Sequence, residues 1–125
     1  MAERIPPELQ KQIIRLQQIQ DQLNKLLVEK SVVENELREV NRVLEVVTSL
    51  QPDAILYRGV SNLLIRTQKS DIEKELNERK ELLELKVKSY QKQEAILRKQ
   101  LEDAQKLVNE SIAKYYPEAR KQQGA

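Results

Sequence analysis

Closely spaced carboxylates are the side chains in this sequence whose type and spacing could support chemistry. Glu75 with Glu78, and Glu81 with Glu84, are separated by one helical turn, which would bring each pair to one face of a helix and within reach of a hard cation. The surrounding sequence is densely charged, and paired carboxylates on such a helix usually form solvated surface. We therefore predict that the chain holds no metal ion.

The composition excludes most catalytic and cofactor chemistry. The chain has no Cys and no His, so thiolate nucleophiles, sulfur-ligated metals, disulfides and the side chain best suited to proton transfer near neutral pH are all missing. The only glycines are Gly59 and Gly124, so no glycine-rich loop is available to cradle a phosphate. The sequence predicts a protein that is not an enzyme, needs no cofactor and does not bind ATP.

The balance of charge argues against nucleic acid and membrane partners. The 22 basic residues are matched by 20 acidic ones, and the net charge of +2 gives no electrostatic reason to bind a polyanion. The basic pair Arg98 and Lys99 has no aromatic neighbours that could stack on bases. The polar start lacks the apolar core of a secretory signal, and no apolar run approaches the ~18 residues of a membrane span. We expect a cytoplasmic protein.

Apolar residues recur with heptad spacing through the first part of the chain. One series starts at Leu9 and another at Gln12, and they repeat every seven residues as far as Leu44 and Val47, with ten of the twelve positions apolar. Gln12 and Lys30 are the exceptions. A stripe this narrow is typical of a helix that closes against a partner helix, and it is too narrow for a globular core.

A second heptad seam runs from Leu76 to Tyr115, interrupted by Lys80, Glu94 and Ser111. Because the two seams have the same length and the same spacing, each matches the other as the partner of one coiled coil. The sequence thus predicts a single domain over 1–125 in which two long helices pair with each other.

Prolines mark both ends of the first helix. Pro7 is suited to the first turn, where its missing N–H would be unpaired in any case. Pro52 biases the residue before it away from helical geometry. These signals predict a helix over about 8–50.

The second helix has a start signal in Ser70 and Glu73, which have the spacing of a capping box. Its end is marked by Pro117. The signals predict a helix over about 71–116, followed by a loose tail over 117–125.

About twenty residues join the helices, too few to run back along a helix of about 60 Å, so the second helix must return antiparallel beside the first. The linker contains two runs rich in Ile, Leu, Tyr and Thr, 54–57 and 63–67, which predict a β-hairpin over about 54–67. A lone hairpin is marginally stable and its unpaired edges invite other chains, so it predicts oligomerisation. The residues expected to carry oligomerisation are Ile55, Tyr57, Leu63 and Ile65.

Apolar residues outside the seams gather where both helices finish. An exposed apolar strip on a helix usually marks a protein contact, either with one fixed partner or with changing clients. Helix ends with few tertiary contacts open easily, which favours changing clients. The alternative is that 5–16 and 107–116 only close the coiled coil. The off-seam residues are Ile5, Ile13, Ile14, Leu107, Ile112 and Tyr116.

A pattern of residues around the linker carries a resemblance to a known family. Its members are Asp53, Ala54, Tyr57, Arg58, the run 62–67, Lys69 and Leu76. Together with heptads in both arms and the opening Ile5-Pro6-Pro7, this pattern resembles prefoldin, and the single hairpin resembles its archaeal β-type subunit. At Ser61 the family usually carries glycine, whereas here a glycine occurs at Gly59.

The resemblance implies a mainly α fold with a β-hairpin, in which a long antiparallel two-helix coiled coil is connected by a hairpin that joins an oligomeric β-barrel body. It implies a hexamer of two α-type and four β-type subunits, because an α-type subunit would need a second hairpin. It also implies capture of unfolded client proteins at the distal tips without ATP, and transfer to a group II chaperonin. Client contacts would fall on Ile5, Leu9, Ile13, Val108, Ile112 and Tyr115.

The residues leave a second function open, that of a structural coiled-coil scaffold that binds one fixed protein partner. In that case the helix ends would recognise a defined sequence with a single stoichiometry.

Overall fold

Two long helices flank a β-hairpin in the computed structural model, which describes residues 5–118. Along the chain, helix α1 spans Pro7–Ser49, strand β1 Leu56–Val60, strand β2 Leu63–Thr67 and helix α2 Lys69–Tyr115. The predicted fold class of two long helices joined by a hairpin is confirmed. Residues 119–125 of the predicted tail lie outside the described residues.

The ends of α1 follow its prolines. Pro7 occupies the first helical position, and the N–H of Gln10 donates to the carbonyl oxygen of Pro6 at 3.0 Å, which closes the first turn. At the other end the N–H of Leu50 donates to the carbonyl oxygen of Val47 at 3.1 Å, the tighter spacing with which many helices finish. The observed helix differs from the predicted one by a single residue at each end.

The start of α2 corrects the predicted capping box. The helix begins at Lys69, and the N–H of Ile72 donates to the carbonyl oxygen of Gln68 at 3.2 Å, so Ser70 lies inside the first turn instead of preceding it. Glu73 lies 3.4 Å from the ammonium of Lys69. The observed helix begins two residues before the predicted start at residue 71 and ends one residue before the predicted end at residue 116.

The hairpin is antiparallel, with Leu56 opposite Thr67 and Val60 opposite Leu63. Its first strand was predicted at 54–57 and lies instead two residues later, so that only Ser61 and Asn62 form the turn. Ser61 has a φ of 54°, and a positive φ at the first position of a two-residue turn is a conformation that favours glycine.

Contacts divide the chain into two compact units. The first, the helix-end unit, comprises Met1–Val28 with Gln91–Ala125, and the second, the hairpin unit, comprises Glu29–Tyr90. Since α1 and α2 contribute residues to both units, the single domain over 1–125 stays a prediction.

Each unit has a core built from predicted seam positions. The buried apolar residues of the helix-end unit are Leu9, Ile19, Leu23, Leu26, Ala104 and Val108. Those of the hairpin unit are Leu44, Val47 and Leu83. Over residues 5–118 neither helix contains a stretch long and apolar enough to cross a bilayer.

Candidate protein-binding surfaces

The six predicted client-contact residues all belong to the helix-end unit, but they differ in exposure. Leu9 and Val108 are buried in the seam, with 3% and 5% of their surface exposed. Ile13, Ile112 and Tyr115 are half-buried, and Ile5 is exposed. In the closed arrangement of this unit, Leu9 and Val108 therefore hold the helices together and offer no surface to another protein.

Two side-chain hydrogen bonds join the helices beside these residues. The hydroxyl of Tyr115 donates to a carboxylate oxygen of Glu8 at 2.9 Å, and the hydroxyl of Ser111 donates to the side-chain oxygen of Gln12. The two seam interruptions at Gln12 and Ser111 are thus partners of each other. Such a polar pair in an apolar seam fixes the register of the helices, because any shift would leave both groups unpaired.

The Tyr115 bond also perturbs a titration. The hydrogen bond to Glu8 raises the pKa of the Tyr115 phenol, and burial and the negative charge of Glu8 raise it further. The ammonium of Lys114 lies 5.3 Å from the centre of the Tyr115 ring, within the range of a cation–π contact. The last turn of α2 is therefore held to the first turn of α1 by polar contacts as well as by the seam.

Two apolar side chains near the helix ends are more exposed than any residue of the predicted contact set. Ile14 on α1 and Leu107 on α2 have 54% and 51% of their surface exposed, more than Ile5 at 43%. Heptad spacing places both residues outside the seams, and seam residues are expected to be buried. The heptad register could therefore have ranked Ile14 and Leu107 above Leu9 and Val108 as contact residues. The helix-end surface consists of Ile5, Ile13, Ile14, Leu107 and Ile112.

The four predicted oligomerisation residues lie together in the hairpin unit, and all of them are exposed. Ile55 immediately precedes β1, while Tyr57, Leu63 and Ile65 lie on the strands. Two further exposed apolar residues, Val60 and Leu64, were not among the predicted four; Val60 fell outside the predicted first strand, whereas Leu64 lay within the predicted second strand. The hairpin surface consists of Ile55, Tyr57, Val60, Leu63, Leu64 and Ile65.

The register assigns the hairpin residues to two faces. Side chains alternate along each strand and opposite residues share a face. The isoleucine face therefore carries Leu56, Arg58, Val60, Leu63, Ile65 and Thr67. The tyrosine face carries Tyr57, Gly59, Leu64 and Arg66.

Polar contacts anchor the hairpin to its helices. Arg58 on β1 forms an ion pair with Glu75 on α2. The ammonium of Lys69 donates to the carbonyl oxygens of Leu50 at 2.6 Å and Thr48 at 3.1 Å. Because the last turn of α1 has no basic residue of its own, Lys69 supplies the positive charge that its free carbonyl groups require.

An apolar groove lies between the hairpin and the helices. It has a volume of about 510 Å³, and its apolar lining residues are Val40, Val43, Val47, Leu56, Ile72 and Leu76. The ion pair of Arg58 and Glu75 lies at this groove. The hairpin surface exposes six apolar side chains, and an apolar surface of this kind is typical of a protein interface.

Of the paired carboxylates, Glu75 forms an ion pair with Arg58, and no three acidic side chains converge on one point in residues 5–118.

Comparison with known proteins agrees with this architecture. The family model described as "Prefoldin subunit" matches residues 10–115. The chain is 58% identical over 118 residues to the protein named "Prefoldin subunit beta" from Saccharolobus islandicus, covering 94% of both chains. It is 57% identical over 119 residues to the protein of the same name from Sulfurisphaera tokodaii, covering 95% of both.

A solved structure shows the same arrangement of elements. The crystal structure of the prefoldin beta subunit from Thermococcus strain KS-1 matches with a TM-score of 0.83 at 30% identity, over 88% of this chain and 96% of that one. The single hairpin between two long helices is therefore shared with an experimentally determined structure.

Proposed function

The chain belongs to the prefoldin family, and we propose that it is a β-type subunit of an oligomeric chaperone that captures unfolded proteins without ATP. Prefoldin subunits are non-enzymatic components of chaperones, and β-type prefoldin subunits assemble with α-type subunits. The proposal adds a hexamer of two α-type and four β-type subunits, located in the cytoplasm. It also adds transfer of the captured protein to a group II chaperonin.

One observation carries the proposal, the exposure of Ile5, Ile14 and Leu107 around the paired helix ends. Burying apolar surface of a client against these side chains releases about 25 cal/mol per Å² before ordering costs are subtracted. Three exposed side chains give only weak binding. Weak contacts suit a chaperone that must later release its client, and no covalent bond is made or broken in capture or release.

Assembly would convert this weak contact into stable capture. Once one arm of an oligomer holds a flexible client, the other arms meet the same chain at a high effective concentration. The hairpin surface supports this assembly because it exposes six apolar side chains beside unpaired strand edges. Strand pairing between subunits would account for this exposure better than contact with a chaperonin or a client would. Each arm can exchange while the whole complex remains bound, and this exchange permits transfer to a chaperonin.

Point variants of the helix-end surface test client capture. Replacing Ile5, Ile14 and Leu107 by serine should abolish suppression of aggregation for two unrelated unfolded proteins, measured by light scattering with the assembled oligomer. A matched control replaces Val28, Val32 and Leu85, which are more exposed but lie away from the helix ends, by serine and should retain suppression. Equal activity of both triple variants would refute capture at the helix ends.

Charged substitutions in the hairpin test assembly separately. Ile55→Glu with Ile65→Glu should lower the native mass measured by sedimentation in the presence of an α-type subunit. The control Leu85→Glu, also at an exposed apolar position, should leave that mass unchanged. A native mass that is unaffected by the hairpin substitutions would overturn assembly through the hairpin.

The burial of Leu9 and Val108 favours a second function, that of a structural scaffold. A helix end that is closed by its seam and by two hydrogen bonds could bind one fixed partner. In that case the triple serine variant would lose a single defined partner, and neither the wild type nor the variant would suppress aggregation of unrelated proteins.

A further inference from the structure

The closed helix end buries two of the six predicted client-contact residues, Leu9 and Val108. Among the described residues that precede Ile19, Leu9 is the only buried side chain. Over the described part of the chain that follows Val108, only the polar Ser111 is buried. The outermost turns of the two helices are therefore closed over a very small apolar core.

Polar groups hold this small core closed. The hydroxyl of Tyr115 donates to Glu8 at 2.9 Å, and the hydroxyl of Ser111 donates to Gln12. The two acceptors lie on either side of the buried leucine of α1, and the two donors follow the buried valine of α2 at intervals of one and two turns. We call these two hydrogen bonds the latch.

The latch holds the helices less firmly than a continued apolar seam would. Leucine at the seam positions of Gln12 and Ser111 would bury apolar surface, whereas a hydrogen bond between two neutral groups replaces hydrogen bonds to water. The bond between Tyr115 and Glu8 is exposed, so water competes for it directly. Helix ends with few buried contacts open locally. The outermost turns can therefore separate while the buried residues from Ile19 onwards stay paired.

Opening would extend the helix-end surface. Leu107 directly precedes Val108, and Ile5 lies four residues before Leu9. The exposed and the buried apolar side chains of the helix ends are thus neighbours along the chain. An unfolded segment that binds the open form would meet a larger apolar surface than the closed form offers, and its binding would shift the population towards the open form.

We propose that the latch keeps the helix end in an autoinhibited closed state, and that its release uncovers Leu9 and Val108 as a second set of client contacts. The role of the latch rests on the proposed client capture, whose control it names. Because the client binds the open form more tightly, any change that raises the small open population raises the apparent affinity by the same factor. The polar residues Gln12 and Ser111 in the seam therefore set how readily the helix end opens.

Thiol labelling measures opening without any client. Val108→Cys places one thiol at a buried position of a chain that otherwise has no cysteine. Its reaction with a thiol reagent should accelerate roughly two- to fivefold when Tyr115→Phe removes one bond of the latch. The matched control Arg79→Gln breaks the ion pair between the helices that Arg79 forms with Glu36 in the hairpin unit, and it should leave the rate unchanged. Equal rates with and without Tyr115→Phe, or equal acceleration by the control, would overturn the latch.

A covalent crosslink tests whether capture requires opening. Glu8→Cys with Tyr115→Cys provides two thiols at the latch, which a short bis-maleimide joins before assembly with an α-type subunit. The crosslinked oligomer should suppress aggregation of unrelated unfolded proteins less well, by about threefold or more, than the same variant capped with a monofunctional maleimide. The control pair Glu36→Cys with Arg79→Cys, whose native side chains are 3.1 Å apart, should show no such difference. Equal suppression by the crosslinked and capped helix ends would refute control by the latch.

The serine variants of the helix-end surface separate the latch from the proposed function. If those variants lose suppression while the crosslinked and capped helix ends are equally active, capture at the exposed surface stands and only the latch is wrong. If neither the wild type nor the capped form suppresses aggregation, capture itself is refuted, and with it the client contacts proposed for Leu9 and Val108.

Discussion

Replacing Lys69 by methionine should lower the free energy of unfolding of the isolated chain by about 2 kcal/mol. The ammonium donates to the carbonyl oxygen of Leu50 at 2.6 Å in a partly buried position and to that of Thr48 at 3.1 Å in an exposed one. Only 16% of the Lys69 side chain is exposed. Methionine has a similar length and can keep the packing, so the substitution removes mainly the charge and its bonds.

The magnitude follows from these two bonds. A hydrogen bond to a charged group contributes roughly 1.5–3 kcal/mol when it is shielded, and much less where water can replace it. The bond to Leu50 therefore counts nearly in full, while the bond to Thr48 and the 3.4 Å contact with Glu73 add little. Methionine leaves the end of α1 without the only cation that caps it within the described residues.

Urea unfolding followed by circular dichroism measures this difference, provided that the slope with denaturant stays constant between variants. Lys74→Met is the matched control, because Lys74 is exposed on the same helix and the substitution removes the same charge. We expect the control to change stability by less than about 0.5 kcal/mol. If Lys69→Met and Lys74→Met unfold at the same urea concentration, the capping of α1 by Lys69 contributes nothing and the reasoning is wrong.

Three further predictions concern the seam, the helix ends and the turn. Leu83→Ala should cost about 3 kcal/mol in urea unfolding, because Leu83 is fully buried, whereas Leu85→Ala should cost almost nothing; equal losses would contradict the seam. The raised pKa of Tyr115 means that the stability from its bond to Glu8 is present below the ordinary value of 10.0 and is lost as pH rises through the folded-state value. The stability of the wild type should therefore fall more steeply than that of Tyr115→Phe above about pH 10, and parallel profiles would refute the bond. Ser61→Val should destabilise the hairpin by roughly 1–2 kcal/mol because its φ is 54°, while Ser61→Gly should be tolerated; hydrogen exchange of the strand amides distinguishes the two, and equal protection would contradict the turn geometry.

Heptad spacing was sufficient to predict the helices and their core. Leu9, Ile19, Leu23 and Leu26 occupy seam positions in the sequence and are buried in the structure. The pairing of Gln12 with Ser111 could not be predicted, because it depends on the relative register of two helices far apart in the sequence. The spacing of one seam contains no information about how far it is shifted along the other.

The linker was harder because its signals conflicted. Gly59 favoured a turn that began before Val60, whereas the residue with a positive φ is Ser61. Strand β1 therefore begins two residues later than predicted. The capping box at Ser70 and Glu73 was wrong, since α2 already begins at Lys69, whose ammonium binds the carbonyl oxygen of the distant residue Leu50. Local start signals cannot include such contacts.

The candidate surfaces could be located from sequence but not resolved residue by residue. Apolar residues outside the seams indicated the helix ends, and the hairpin indicated an interface. In the structure Ile14 and Leu107 are exposed, whereas Leu9 and Val108, which are similarly hydrophobic, are buried. Which of these side chains is buried becomes certain only when the partner helix is in place.

Site-specific photo-crosslinking tests capture at the helix ends most directly. A photoreactive phenylalanine analogue placed at Leu107, in the oligomer assembled with an α-type subunit and without nucleotide, should crosslink to several unrelated unfolded proteins. The same analogue at Leu85, which is exposed to a similar degree, should not. Crosslinks of equal yield at both positions, or crosslinks at Leu107 to one defined protein only, would contradict the proposed capture of unfolded proteins.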